Sequence, residues 1–249
     1  MLDMRTPPPE NHRLYTDLAW LWPVISPRES YIEEAEGLRE AVQMLGRRPV
    51  KSLLHLGCGG GHLDFTLKKN FKITGVDLSE GMLSLARRLN PEVRYLPGDM
   101  RTIRLAEQFD AAIIADSINY MLSDEDLKSA FKTAYEHLRP GGIFCTYAET
   151  TRENFKQNKT ECTLHEGNGI EVTFIENAYD PDIADSNYEY TFIYLIRERG
   201  KMRIETDRHR MGIFDLETWQ NMLKATGFQV AEVDILEDRP LFACLKPDS

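Results

Sequence analysis

Four clustered glycines and the aspartates that follow three strand-like runs are the residues of this chain whose spacing calls for a ligand. Gly57, Gly59, Gly60 and Gly61 stand in the run LLHLGCGGGHLDF, after an apolar stretch and before a helix-like segment. At such a junction the backbone N–H groups point outward and a side chain would stand in a ligand's way. About twenty positions on, Asp77 offers two carboxylate oxygens, enough to accept from both hydroxyls of a ribose. A phosphate loop is excluded, because the run ends Gly-His-Leu and not Gly-Lys-Ser/Thr. A dinucleotide fingerprint fits at Gly57 and Gly59 but meets His62 where glycine or alanine is wanted. No Lys or Arg occurs from Ser52 to Leu67, whereas Asp64, Asp77, Asp99 and Asp116 lie at or near strand ends. An acidic crevice of that kind suits a cation.

The elements that must hold these residues alternate. SLLHLG, KITGVD, EVRYLPGD, FDAAIIAD and GIFCTYAE read as five strands. Helical segments stand between most of them, two with serine caps at Ser79 and Ser123. A helix before the first strand places Ile32, Ala35, Leu38, Val42 and Leu45 on one face. This order implies a doubly wound parallel sheet, with its ligand crevice at the strand C-termini. After Glu149 the helical period disappears. From Lys159 to Phe214, β-rich runs separated by GNG, DPDIADSN and RGK predict an inserted antiparallel sheet. The core resumes with DLETWQNMLKATG and two last strands. The expected fold is therefore α/β: a Rossmann-like, doubly wound, seven-stranded sheet with an antiparallel β lid inserted before the last core helix. The expected division of this single domain is 1–149 for the N-terminal helices and ligand-binding half, 150–214 for the insertion, and 215–249 for completion of the core.

Composition narrows the class. With a net charge of −10 over 249 residues, the chain is no general nucleic-acid binder. No apolar run approaches the ~18 residues of a membrane span. The polar, proline-rich start does not read as a signal peptide. Scattered Cys58, Cys145, Cys162 and Cys244 suggest a reduced, cytoplasmic setting. Cys162 and His165 lack a second pair at zinc spacing, so no metal is expected. The expected state is a monomer or homodimer.

Several stretches together resemble class I S-adenosylmethionine-dependent methyltransferases, over most of the chain. HLGCGGG is similar to that family's first motif, with His55 or Leu56 where an acid usually stands. GVDLSEGML resembles the second, PGDMR the third, FDAAIIADSINYM the fourth, and LRPGGIF the run into strand five. The resemblance implies S-adenosyl-L-methionine as cofactor, held by Gly57, Cys58, Gly59 and Gly61. It implies Asp77 on the ribose, Leu78 and Met82 on the adenine, and Asp99, Met100 and Arg101 at the adenine edge. It also implies that Asp116 and Ser117, after strand four, bind the cofactor, and that Tyr15 lies in an N-terminal segment that covers it. Within the family the chain is similar to small-molecule members, especially the N,N-dimethyltransferases of nucleotide-linked amino sugars.

That resemblance implies methyl transfer to a nitrogen or oxygen of a small acceptor, by in-line displacement, under the inserted sheet. Tyr120, His209 and Glu149 are the candidate proton acceptors. Arg210, beside His209, is the candidate anchor for an anionic acceptor, since a guanidinium grips carboxylate or phosphate bidentately. Two alternatives stay open: a catalytically silent, methyltransferase-like binding or regulatory subunit, and an NAD-dependent oxidoreductase.

Overall fold

The computed structural model describes residues 12–46, 48–233 and 239–248. Single helical turns at Arg13–Tyr15 and Ala19–Leu21 lead into α1 (Trp22–Ile25) and α2 (Ile32–Leu45). The core then runs β1 (Ser52–Leu56), α3 (His62–Leu67), β2 (Lys72–Asp77), α4 (Glu80–Leu89), β3 (Arg94–Pro97), β4 (Phe109–Ile114), α5 (Asp124–His137) and β5 (Leu138–Tyr147). The inserted strands are β6 (Lys159–Gly167), β7 (Ile170–Tyr179), β8 (Asn187–Glu198) and β9 (Lys201–Gly212). Helix α6 (Leu216–Thr226) and strands β10 (Gln229–Val233) and β11 (Leu241–Leu245) close the chain.

The central sheet has seven strands in the order β10-β11-β5-β4-β1-β2-β3. Only β11 runs against its neighbours, pairing antiparallel with both β5 and β10. From β1 the chain winds one way to β2 and β3, then crosses to β4 on the other side. The strand order reverses between β1 and β4, and a crevice opens outside their C-terminal ends. The expected caps are present: Ser79 Oγ accepts from the Met82 amide at 3.1 Å and Ser123 Oγ from the Asp126 amide at 3.2 Å. Each contributes about 1 kcal/mol of helix stability.

Two sequence expectations shift. Ile32 does not join the buried face of α2; at the helix's first residue it is 47% exposed, while Ala35, Leu38, Ala41 and Val42 are covered. Strand β5 begins at Leu138 and not at Gly142, because Leu138 pairs with Phe109 before a register shift restores the ladder at Ile143. Pro140 ends the helix upstream, as a ring without an N–H must.

The insertion is a four-stranded meander, β6-β7-β8-β9. Two of its turns are tight. Asn168 and Gly169, and Arg199 and Gly200, all have positive φ, the two-residue geometry that matches strand twist. Val172, Phe174, Phe192, Tyr194 and Ile196 on its inner face pack against Leu14, Leu18, Leu21 and Val24. Burying such a side chain stabilises by roughly 1.5–3 kcal/mol, so the insertion and the N-terminal segment hold each other in place. Strand β9 meets the core at Gly212, where a Cβ would fall 1.9 Å from the Met121 carbonyl oxygen. Only glycine permits that approach, and it carries His209 toward the turn after β4.

Candidate active site

The glycine run has two purposes. Gly57, Gly59 and Gly61 all take positive φ, which L side chains resist. At Gly57 and Gly61, however, the space belongs to the protein itself. A Cβ would meet Ser117 Oγ at 2.0 Å in the first case, and Asn90 and Tyr95 at 2.7 Å in the second. Gly59 alone of the three opens onto space, its nearest neighbour being Met82 Cε at 3.6 Å. Cys58 is buried beneath the loop, with burial holding its thiol well above the usual range.

Asp77, the last residue of β2, accepts from the Gly59 amide at 2.7 Å and from the Ser79 amide at 2.8 Å. Burial raises its carboxyl, and those two amides partly offset the rise. The next residue, Leu78, is 74% exposed: an apolar side chain left open beside the Asp77 carboxylate is suited to stack on a flat ring. Met82 is buried one turn further on. The N-terminal segment reaches this point too, since Ser79 Oγ donates to the Tyr15 carbonyl. Asp99 has less to offer. Arg101 takes both its oxygens, through its own amide at 2.8 Å and its guanidinium at 2.6 Å. Arg101 also grips Asp126 at 2.9 Å and holds Asp99 below the usual carboxylate range. Met100 packs beneath the loop, its Cε 2.8 Å from where a Gly57 Cβ would be. Ser117 Oγ faces the Leu56 carbonyl at 3.5 Å.

Beyond the glycine loop and Asp77, four side chains form one hydrogen-bonded chain. Asp207 Oδ2 lies 2.7 Å from His209 Nε2, His209 Nδ1 lies 2.6 Å from Tyr120 Oη, and Tyr120 Oη lies 2.7 Å from Tyr15 Oη. Asp207 also accepts from the Leu14 amide at 2.7 Å. Burial would raise its carboxyl, but His209 and that amide outweigh it and hold it below the ordinary value. An ionised Asp207 accepts only, so a neutral His209 gives it the Nε2 proton and keeps a lone pair on Nδ1. Tyr120 must then donate to His209 and accept from Tyr15. Burial pushes both tyrosine hydroxyls far above neutral pH, so neither ionises there.

An acidic group stands beside this chain. Tyr147 Oη donates toward Asp116 Oδ1 at 2.6 Å and Glu34 Oε1 at 2.7 Å. Arg239 lies 3.5 Å from Asp116 and 3.7 Å from Glu149, with its guanidinium over the Tyr147 ring. The charge on Asp116 is the main cause that raises Glu149 to about 8, against the pull of Arg239; its side chain stays 48% exposed, so the neighbouring charge and not burial carries the shift. Burial first, then Asp116, raises Glu34 to about 7.

The structure thus brings Tyr15, Tyr120 and His209 together, and sets Asp116 and Glu149 side by side. It separates Arg210 from them. His209 is fully buried on the inner face of β9; Arg210, the next residue, is exposed on the outer face, opposite Glu189. Successive strand residues point to opposite faces, so the two cannot line one pocket. Sequence reading missed Asp207, although an acid two residues before His209 in a strand shares its face. It also missed Glu34, Tyr147 and Arg239, which come from three distant elements. No group of three or more His, Cys, Asp or Glu among the described residues is placed to hold a metal ion.

These features fit a ligand with an adenosine part and a cationic end: open space over Gly59, exposed Leu78, the Asp77 carboxylate between them, and acids beyond it. A methyltransferase-domain family matches residues 53–142. YqeM of Bacillus subtilis (strain 168), named as a methyltransferase, is 30% identical over 190 residues, covering 73% of this chain and 74% of that one. The dTDP-3-amino-3,4,6-trideoxy-alpha-D-glucopyranose N,N-dimethyltransferase of Streptomyces venezuelae is 28% identical over 207 residues, covering 81% of this chain and 85% of that one. Among solved structures, Streptomyces venezuelae DesVI superposes with a TM-score of 0.82 at 25% identity, covering 95% of this chain and 98% of that chain. CalS10 of Micromonospora echinaspora, an amino pentose methyltransferase with bound S-adenosylmethionine, gives 0.78 at 25% identity over 87% of this chain and 91% of that chain. Neither the nicotinamide-dependent reading nor the catalytically silent one gains support from these matches. Site and relatives agree, and the chain belongs to the class I S-adenosylmethionine-dependent methyltransferases.

Proposed function

We propose that the acceptor is the amine of a small molecule of the amino-sugar class, bound between the Asp116–Tyr120 turn and the inserted sheet, and that the chain methylates its nitrogen. The observation that carries this reading is the pairing of a hydrogen-bonded tyrosine chain with the acids Asp116 and Glu149, which follow the adjacent strands β4 and β5. The relatedness to an amino-sugar N,N-dimethyltransferase over most of both chains supports it. On this reading residues 150–214 roof the acceptor, while 1–149 and 215–249 form the donor-binding core. The free cysteines suit a reducing, cytoplasmic compartment.

When bound, S-adenosylmethionine supplies an electrophilic methyl group on a sulfonium, which leaves as a neutral thioether. The protein's part is to present a nitrogen lone pair in line and keep water out, and positioning supplies most of the rate. An amine arriving as ammonium must first lose a proton. Glu149, raised to about 8 beside Asp116, is matched to take it near neutral pH. Tyr15 is the end of the relay. Because its hydrogen is committed to Tyr120, its oxygen accepts an N–H of the acceptor and fixes the direction of the lone pair. Asp207 and His209 act through Tyr120 and are positioning residues.

The test is turnover on matched acceptors. Release of S-adenosylhomocysteine is measured with nucleotide-linked amino sugars and with the same sugars carrying hydroxyl in place of amine. Turnover of the amines alone is expected. Turnover of the hydroxyl forms alone overturns the nitrogen assignment.

A further inference from the structure

We propose that Glu176, on the inner face of the inserted sheet, binds a second ammonium group of the acceptor, which is therefore a diamine. The register sets Glu176 of β7 opposite Phe192 of β8. The next inward-facing residue of β8 is Tyr190, which stands opposite His209 of the relay. Glu176 thus shares a face with His209 and lies two strands from it, about 10 Å at ordinary strand spacing. Glu149 faces the same place from the core, since the Tyr190 hydroxyl feels the charges of Glu176, Glu149 and Glu161 together.

What singles out Glu176 is the lack of a partner. Each other acid on this face has one. Glu161 has Lys159 at 2.7 Å, Glu198 has Arg203 at 3.8 Å, Glu205 has Arg13 at 2.9 Å, and Asp207 has His209 at 2.7 Å. The half-buried Glu176 carboxylate has neither an ion pair nor a hydrogen bond among the described residues. Burial and the charge of Glu161 raise it to about 7, against the pull of Lys159. A carboxylate drawn out of water is costly unless a cation meets it. A second orphan stands beside it. Tyr194, diagonal to Glu176 on the same face, is fully buried, and its Oη has no hydrogen-bond partner. That hydroxyl feels Asp207, Tyr15 and Glu176, so it lies between the relay and the unpaired acid. Buried polar atoms are normally paired, and an orphan asks for an absent group. Carboxylate and phenol oxygens both accept, and an ammonium offers N–H groups to each. The inference rests on the nitrogen reading of the proposed function and adds where the remainder of the acceptor binds. The span across the roof puts the two amines on separate parts of the molecule, as on two joined sugar rings.

The test is steady-state kinetics on a disaccharide with an amine on each ring, and on the same disaccharide with hydroxyl in place of the amine that is not methylated. For native protein KM should be about tenfold higher, or more, for the hydroxyl form, the worth of a hydrogen bond to a charged group. kcat should be alike on the two. Glu176→Gln should raise KM for the diamine to the level of the hydroxyl form, with the hydroxyl form and S-adenosylhomocysteine affinity unaffected. Equal KM values in native protein overturn the proposal, as does a preference for the diamine that survives in Glu176→Gln. Equal losses on both acceptors make Glu176 structural and overturn it too. Should Glu176→Gln not fold, Glu176→Asp, which keeps the charge but draws it back, takes its place: KM should rise for the diamine alone, and equal rises overturn the proposal. Turnover of nucleotide-linked monoamines but not of the diamine overturns this inference and leaves the nitrogen reading standing. Turnover of no amine at all faults that reading and takes the inference with it.

Discussion

Tyr120 Oη and His209 Nδ1 are 2.6 Å apart although 89 positions separate the residues. One ends the turn after β4 and the other lies inside the inserted sheet, so this bond fixes roof to core at the place where an acceptor would sit. Removing the hydroxyl with Tyr120→Phe cuts the relay while leaving the ring. Turnover should fall about tenfold, equivalent to about 1.4 kcal/mol, with S-adenosylhomocysteine affinity within twofold of the parent. Parallel kinetics and calorimetry check it, and unchanged turnover would remove Tyr120 from the mechanism.

Asp207→Asn should act on the same bond from further away. An amide no longer imposes the Nε2–H tautomer, so Tyr120 loses its acceptor in part of the population. Lower kcat with unchanged cofactor affinity is the expected pattern. Stability carries a second signature. Asp207 is held below its ordinary value when folded, so its contribution is fully present above the unfolded value of about 4. It is lost as pH falls through the lower folded value. Thermal melts from neutral pH downward should show an acid-side drop in the parent that is smaller in Asp207→Asn.

Glu149 supplies a pH test of the amine reading. Its carboxyl is raised to about 8 chiefly by Asp116, and a base must be ionised to work. kcat/KM should therefore rise with pH through an apparent value near 8 that belongs to the Glu149–Asp116 pair. Asp116→Asn removes the repelling charge and should move the rise to lower pH. Arg239→Ala removes the stabilising charge and should move it higher. Glu149→Gln should abolish the rise, and a rise that survives in this variant assigns the base elsewhere.

Asp77→Ala should weaken S-adenosylhomocysteine by about 10- to 150-fold, the range for hydrogen bonds to a charged group. The same carboxylate holds the Gly59 and Ser79 amides, so a modest drop in melting temperature should accompany it. Calorimetry on protein shown folded by circular dichroism separates the two effects.

Gly212→Ala places a methyl group 1.9 Å from a backbone oxygen, which cannot swing aside as a side chain would. Overpacking of this kind costs about 1–3 kcal/mol, measurable by urea unfolding. Because β9 carries His209, turnover should fall further than cofactor affinity. Arg210→Ala, on the outer face, should leave both acceptor KM and turnover unchanged.

What the sequence determined by itself was local. The order of strands and helices, the serine caps and the two tight hairpin turns depend on neighbours a few residues away, and they stand where the pattern placed them, while the start of β5 shifted with its pairing to β4. The glycine run and Asp77 were legible for the same reason, since a strand, a turn and the next strand fix them within one βαβ unit. The side of β9 on which His209 and Arg210 fall was legible too, because strand alternation puts adjacent residues on opposite faces. Only the tertiary structure decided who meets whom across the crevice. Glu34, Asp116, Tyr147 and Arg239 come from four elements with no shared period. The separation that makes Glu149 a weak acid depends on how β4, β5 and the segment before β11 close around it. Asp64 reads in sequence as one more acid near a loop, yet its carboxylate is spent on His55. That assignment turns on a few ångströms set by the packing of α3 on β1, which no spacing along the chain encodes.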